Sequence, residues 1–256
     1  MSTNVTGRRE TPAAAQAVDL RKVYGSGQTE VTALAGVSAD FPAGEYSAIM
    51  GPSGSGKSTL MHCLAGLDTV DTGEIRIGET LLGDLGDKGL ADLRRNRVGF
   101  VFQQFNLLPT LSAEENITLP LAIAKRKPDQ VWFDQVVDAV GLADRLTHRP
   151  SELSGGQQQR VACARALLPK TDVIFADEPT GNLDSRSSGE ILRFLRKSVD
   201  EFHQTIVMVT HDANAAAYAD RVVFLLDGKL VHELLDPNAD EVLDTMKRLD
   251  TLEGDS

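Results

Sequence analysis

The spacing of apolar residues changes several times along the chain, and each change marks an element. Between Ala17 and Met50, apolar positions come in short strand-like runs, broken at Tyr24-Gly25-Ser26-Gly27 and at Pro42-Ala43-Gly44. The last run, Ser47-Ala48-Ile49-Met50, fits a buried strand and stops at a glycine-rich loop. Lys57 to Gly66 then reads as a helix, so strand, glycine loop and helix open an α/β unit. From about 105 to 165 the pattern is helical. Pro109, Pro120 and Pro128 punctuate its first half, and Val131 to Val140 and Gln157 to Leu168 have helical periodicity. Val173 to Ala176, Thr205 to Thr210 and Val222 to Leu226 return to buried-strand runs. Past Asp236, Val242, Leu243, Met246, Leu249 and Leu252 recur at three- and four-residue steps, as on one amphipathic helix. No internal repeat is visible.

This pattern predicts an α/β core at about 17–235, with a helical subdomain inserted at about 105–165. An acidic C-terminal helix or tail at 236–256 completes it. Residues 1–16, polar and small, are expected to form a disordered tail. Composition narrows the classes. The chain is 41% hydrophobic and 25% charged, as ordinary globular proteins are. Its net charge of −11, from 26 basic and 37 acidic side chains, repels phosphate backbones and argues against a nucleic-acid partner. Cys63 and Cys163 cannot make a disulfide framework and read as core thiols in a reducing compartment. The five histidines lack zinc spacing. No apolar run approaches the roughly 20 residues that cross a bilayer, and the N-terminus lacks a signal-peptide core. A cytoplasmic protein is expected, with any membrane role acting through a partner.

Candidate chemistry begins at Gly51-Pro52-Ser53-Gly54-Ser55-Gly56-Lys57-Ser58, which fits GxxxxGK[ST]. Glycines let backbone N–H groups curl around a phosphate, and the following helix adds its positive end. Lys57 is a point charge for the outer phosphates, and the Ser58 hydroxyl a ligand for Mg²⁺. The run Val173-Ile174-Phe175-Ala176 ends in Asp177 and Glu178. That places both carboxylates at the carboxyl edge of a sheet, Asp177 to hold Mg²⁺ and Glu178 to polarise a water as general base. Many strands end in acids, but the phosphate loop upstream gives this pair a task. Leu153-Ser154-Gly155-Gly156-Gln157 starts another helix, with Ser154 as its N-cap and room for an anion.

At that segment the chain resembles the ATP-binding cassette family, whose signature motif it matches from Leu153 to Gln157. The resemblance covers about 17–235. It implies a phosphate-loop NTPase (RecA-like) core with an N-terminal antiparallel β subdomain and an inserted α-helical subdomain. It implies that Tyr24 stacks on adenine, and that Gln103 is the Q-loop glutamine, near nucleotide and Mg²⁺. Asp184 matches the D-loop aspartate and His211 the switch histidine of the γ-phosphate. Two subunits of the family pack head to tail, so Ser154 and Gly156 would reach the partner chain's ATP. The segments Ala48 to Leu60 (with Thr59), Phe102 to Pro109 and Asp177 to Asp184 resemble the lipoprotein-release, macrolide-export and FtsE-type subgroup. That implies an ATP-hydrolysing homodimer, peripheral on the inner face of the membrane, driving a separate permease that exports lipids, peptides or drugs or transmits force. The apolar stretch from Phe105 to Leu121 would then lie next to the permease. A soluble ATP-switched protein without a permease is the alternative.

Overall fold

Residues 12–254 are described in the computed structural model, and they build two sheets with helices around them. The first sheet is antiparallel, in the order β2 (Val31–Pro42), β1 (Ala13–Tyr24), β4 (Thr72–Ile77), β5 (Thr80–Leu81). The sequence shows only short runs here because the β1–β2 pairing shifts register repeatedly, and Asp19 takes a left-handed φ of 49°. Each shift resets the alternation of inward and outward side chains, so one long strand reads as fragments. Residues 13–16, expected in the disordered tail, belong to β1, with Ala15 opposite Ile77 and Gln16 opposite Asp40. Ala14 and Ala15 are buried, so alanines that resemble tail composition supply core methyls. The rest of that tail, residues 1–11, lies outside the described residues.

The second sheet runs β10 (Lys229–Leu235), β9 (Arg221–Leu226), β3 (Tyr46–Met50), β8 (Ile206–Val209), β7 (Val173–Asp177), β6 (Val98–Phe102). All neighbours are parallel except β10. Every residue of β3 is buried, as expected of a strand covered on both faces. Alternation along β3 sorts its side chains: Tyr46, Ala48 and Met50 enter one core, Ile49 the other. Burial pushes the thiols of Cys63 and Cys163 up to about 12, and both stay free.

Helix α1 (Lys57–Leu64) follows the glycine loop, and α2 (Asp87–Arg97) precedes β6. The insert between β6 and β7 holds α3 (Ala113–Ile123), α4 (Gln130–Val140) and α5 (Gly155–Leu167), each with a side-chain cap from Ser112, Asp129 or Ser154. Pro120 lies inside α3 rather than ending it. The amide of buried Asn116 bonds the carbonyls of Leu108, Leu111 and Ser112, which anchors that helix one turn earlier. Beyond β7 come α6 (Ser185–Phe202), α7 (Ala213–Ala216) and α8 (Ala239–Gly254). The C-terminal helix is amphipathic: Val242 and Leu249 are buried while Leu243 is exposed. The Leu252 side chain lies outside the described residues. Among those described, no helix is long and apolar enough to cross a membrane.

Candidate nucleotide site

Parallel register assembles the site. Ile49 pairs with Val209, Val209 with Asp177, and Asp177 with Phe102. Strands β3, β8, β7 and β6 therefore end level at one carboxyl edge, where ligands of open α/β sheets bind. Gly51, His211, Glu178 and Gln103 all follow these strand ends, although they are far apart in sequence.

The loop Gly51–Ser58 winds too tightly for side chains at two points. A Cβ on Gly51 (φ 146°) would meet the Leu225 carbonyl oxygen at 2.0 Å, and one on Gly56 (φ 100°) the Ala33 oxygen at 2.2 Å. Gly56 is the N-cap of α1 and offers no capping side chain, which leaves the first N–H groups of the helix to a ligand. Lys57 Nζ donates to Pro52 O at 2.5 Å and holds its charge over the loop. Ser55 Oγ is buried without a hydrogen-bond partner.

Asp177 ends β7. Burial raises its carboxyl pKa above the ordinary value. The charges of His62 and Lys57 and the Ser58 hydroxyl oppose that shift, and Glu178 adds to it. Its Oδ1 is buried and unpartnered, and its Oδ2 lies 3.8 Å from His62 Nε2. A carboxyl whose folded-state pKa is raised favours the fold only at low pH. That contribution is lost as pH rises through the folded value, so at neutral pH the ionised group costs stability. Asp177→Asn is expected to raise the Tm of the protein by about 1–3 °C at neutral pH. Calorimetry checks this; a lower Tm would mean that His62 and Lys57 outweigh burial.

Glu178 has a left-handed φ of 47°, an uncommon backbone state for a side-chain-bearing residue. Bonds on both sides hold it: its N–H donates to Val209 O, and its carbonyl accepts from Gly181 N. The turn brings its Oε1 to 2.8 Å from His211 Nδ1. Local strain thus joins a carboxylate and an imidazole from neighbouring strand ends.

Gln103 lies against the next loop, with Nε2 donating to Asn182 Oδ1 at 3.3 Å and its backbone carbonyl accepting from Asn182 Nδ2 at 3.0 Å. Ser154 caps α5 in a capping box with Gln157, and Ser154 and Gly155 are exposed. Asp184 caps α6 and also accepts from the Ser187 hydroxyl at 2.8 Å. The Ser187 N–H first, then that hydroxyl, hold the Asp184 carboxyl below its usual value. Gly156 packs on Ser187, where a Cβ would come within 2.7 Å of the hydroxyl oxygen. The Ser154 turn is therefore built against the Asp184 cap, whereas residues 51–58, 103, 177, 178 and 211 share the sheet edge. Tyr24 stands on the other sheet, and its hydroxyl donates to Asp68.

Sequence reasoning missed three side chains that tie these parts together. His62 faces Asp177 from one turn beyond Ser58, a spacing that was readable. Gln159 is fully buried, and its amide bonds Phe102 O and Pro179 O, at the carboxyl ends of β6 and β7. Its one signal is a polar residue on the face of α5 that also buries Cys163. Arg165 donates to Phe105 O and Asn106 O and so fastens the segment after Gln103 to α5. Nothing local in the sequence marks it.

The family model described as ABC transporter matches residues 34–181. The lipoprotein-releasing system ATP-binding protein LolD of Geobacter metallireducens is 45% identical over 218 residues, covering 84% of this chain and 97% of its own. The macrolide export ATP-binding/permease protein MacB of Bdellovibrio bacteriovorus is 47% identical over 212 residues, 82% of this chain. This chain spans only 32% of that relative's length. Among solved structures, the dimeric post-hydrolysis ATP-binding cassette MJ0796, bound to ADP and Pi, superposes with a TM-score of 0.78 at 39% identity. That match covers 88% of this chain and 99% of the other.

Proposed function

Since the chain belongs to the ABC transporter family, we propose that it is the ATP-hydrolysing subunit of a transporter, working as a homodimer on a separate permease. One observation carries the reading: parallel register sets the phosphate loop, Asp177, Glu178 and His211 on one rim, while the Ser154 helix start stays exposed on the insert.

In this reading Tyr24 stacks on adenine. The backbone N–H groups of Gly51 and Ser53–Thr59, together with the Lys57 ammonium, hold the phosphates. The site suits Mg²⁺: Ser58 Oγ, the unpartnered Asp177 oxygen and the Gln103 amide oxygen are hard donors. Bound there, Mg²⁺ would offset charge on the outer phosphates. Glu178 takes a proton from the attacking water, and His211 with Lys57 stabilises charge on the γ-phosphate. Ser154, Gly156 and the start of α5 meet the γ-phosphate of the partner's ATP, so binding closes the dimer and hydrolysis releases it.

The permease docks in a groove of about 490 Å³ between α2, β6, α3 and α5. Phe100, Phe102, Leu119 and Ile123 line it, with Arg94 and Arg95 alongside. The lining overlaps the stretch from Phe105 to Leu121, and Arg165 joins the groove to the segment after Gln103. That docking would place the chain at the inner face of the membrane. Ile123 is 59% exposed, so Ile123→Asp should fold and bind ATP normally. It is expected to lose at least about tenfold in permease recovery from detergent-solubilised membranes. Identifying the membrane protein that copurifies with the unaltered chain tests the whole reading; an ATPase that brings down no membrane protein would favour a permease-free role.

A further inference from the structure

The structure assigns Lys22 and Asp68 as positioning residues for Tyr24: together they fix its ring as a platform open to the base on one face only. This rests on the reading of Tyr24 as the adenine-stacking residue. Lys22 and Tyr24 are two apart on β1, on either side of a register shift between Lys22 and Val23, and their side chains meet at the strand's end. Lys22 Nζ lies over the ring, 5.0 Å from its centroid, and occupies that side with a cation. The Tyr24 hydroxyl donates to Asp68 Oδ2 at 2.6 Å. Asp68 Oδ1 accepts from Lys22 Nζ at 3.1 Å and from Thr69 N at 2.7 Å. Lys22 is 7% exposed and Tyr24 40%, so the cation is packed beneath the ring while the ring still meets solvent.

The same network ties the platform to the phosphate loop. The N–H groups of Leu67 and Asp68 both donate to His62 O, which folds the 67–71 loop back onto α1. Asp71 then stitches that loop to β1: its carboxylate accepts from Val23 N at 2.7 Å, and its N–H donates to Arg21 O at 2.9 Å. Burial alone would favour the neutral forms of Asp68 and Lys22. The bonds from Tyr24, Lys22 and Thr69 nevertheless hold the Asp68 carboxyl below its usual range, and Asp68 holds the Lys22 ammonium above its own. The pair stays ionised across the working pH range. A ring locked in this way spends little conformational freedom when a base lands on it.

Binding of ATP and of inorganic tripolyphosphate, which has no base, separates positioning from mere support. Both are read by displacement of a fluorescent ATP analogue. Tyr24→Phe and Asp68→Asn are each expected to weaken ATP about three- to tenfold and to leave tripolyphosphate within about twofold. The double variant should be no weaker than the worse single, since both remove one bond. In turnover, the KM for ATP should rise while kcat holds. Equal losses for ATP and tripolyphosphate would reduce Asp68 to a structural stitch and overturn the proposal. So would unchanged ATP affinity in Tyr24→Phe and Asp68→Asn when Tyr24→Ala weakens ATP. Should Asp68→Asn fail to fold, Tyr24→Phe decides alone, because it leaves the Lys22–Asp68–Thr69 bonds intact. If Tyr24→Ala itself binds ATP normally, the platform reading fails, and this proposal with it.

Discussion

Glu178→Gln is expected to bind ATP as tightly as the unaltered chain and to lower steady-state hydrolysis by about 10²–10³-fold. The amide keeps the shape of the carboxylate and an oxygen that can face His211 Nδ1, 2.8 Å away in the native pair. It leaves the left-handed turn at this position and the backbone bonds to Val209 and Gly181 in place. What it removes is the capacity to take a proton from water. Phosphate release measures the loss. Gel filtration with ATP should show the variant accumulating as dimers, since ATP that bridges two chains is no longer consumed. Native turnover, or monomers at every ATP concentration, would remove Glu178 from its assigned role.

The site was more legible than the scaffold, for a physical reason. Binding a phosphate needs glycines, a lysine and a hydroxyl within eight consecutive residues, and Gly51–Ser58 supplies them with no long-range information. The same holds for the Ser154 cap and for the carboxylates that end β7. Groups that work across the fold left weaker traces. Asp68 and Tyr24 are 44 residues apart, and nothing near either predicts their bond. Gln159 and Arg165 act on backbone carbonyls, which carry no sequence signal. Among the elements, β3 was plain because it is buried on both faces. The long strands β1 and β2 were not, because register shifts interrupt their alternation. Helix α2 buries only Leu93 among its eleven residues, so it has too thin an apolar stripe to show a period. Helix α6 carries Ile191, Leu195 and Val199 on its buried face, a four-residue period that the reading of the sequence passed over.

Mixing two inactive chains should restore hydrolysis, if each ATP is shared between subunits. Lys57→Ala removes the cation held over the phosphate loop and is expected to abolish nucleotide binding at its own loop, which a fluorescent ATP analogue measures. Its Ser154 turn is untouched. Ser154→Arg keeps the phosphate loop but fills the exposed helix start with a long side chain, at a modest capping cost. Each variant alone forms dimers without one complete site. A mixed dimer joins the sound loop of one chain to the sound Ser154 turn of the other, and so contains one whole site and one doubly broken site. Random pairing makes roughly half of the dimers mixed, so a 1:1 mixture should recover roughly a quarter of native turnover if the sites fire independently. Were the Ser154 turn to serve its own chain's ATP, every site in every dimer would be broken and the mixture would stay at background. Gel filtration with labelled ATP in the Glu178→Gln background separates the cases even if both sites must fire together. The mixed dimer then holds about one nucleotide, because capture needs only one intact pair of faces.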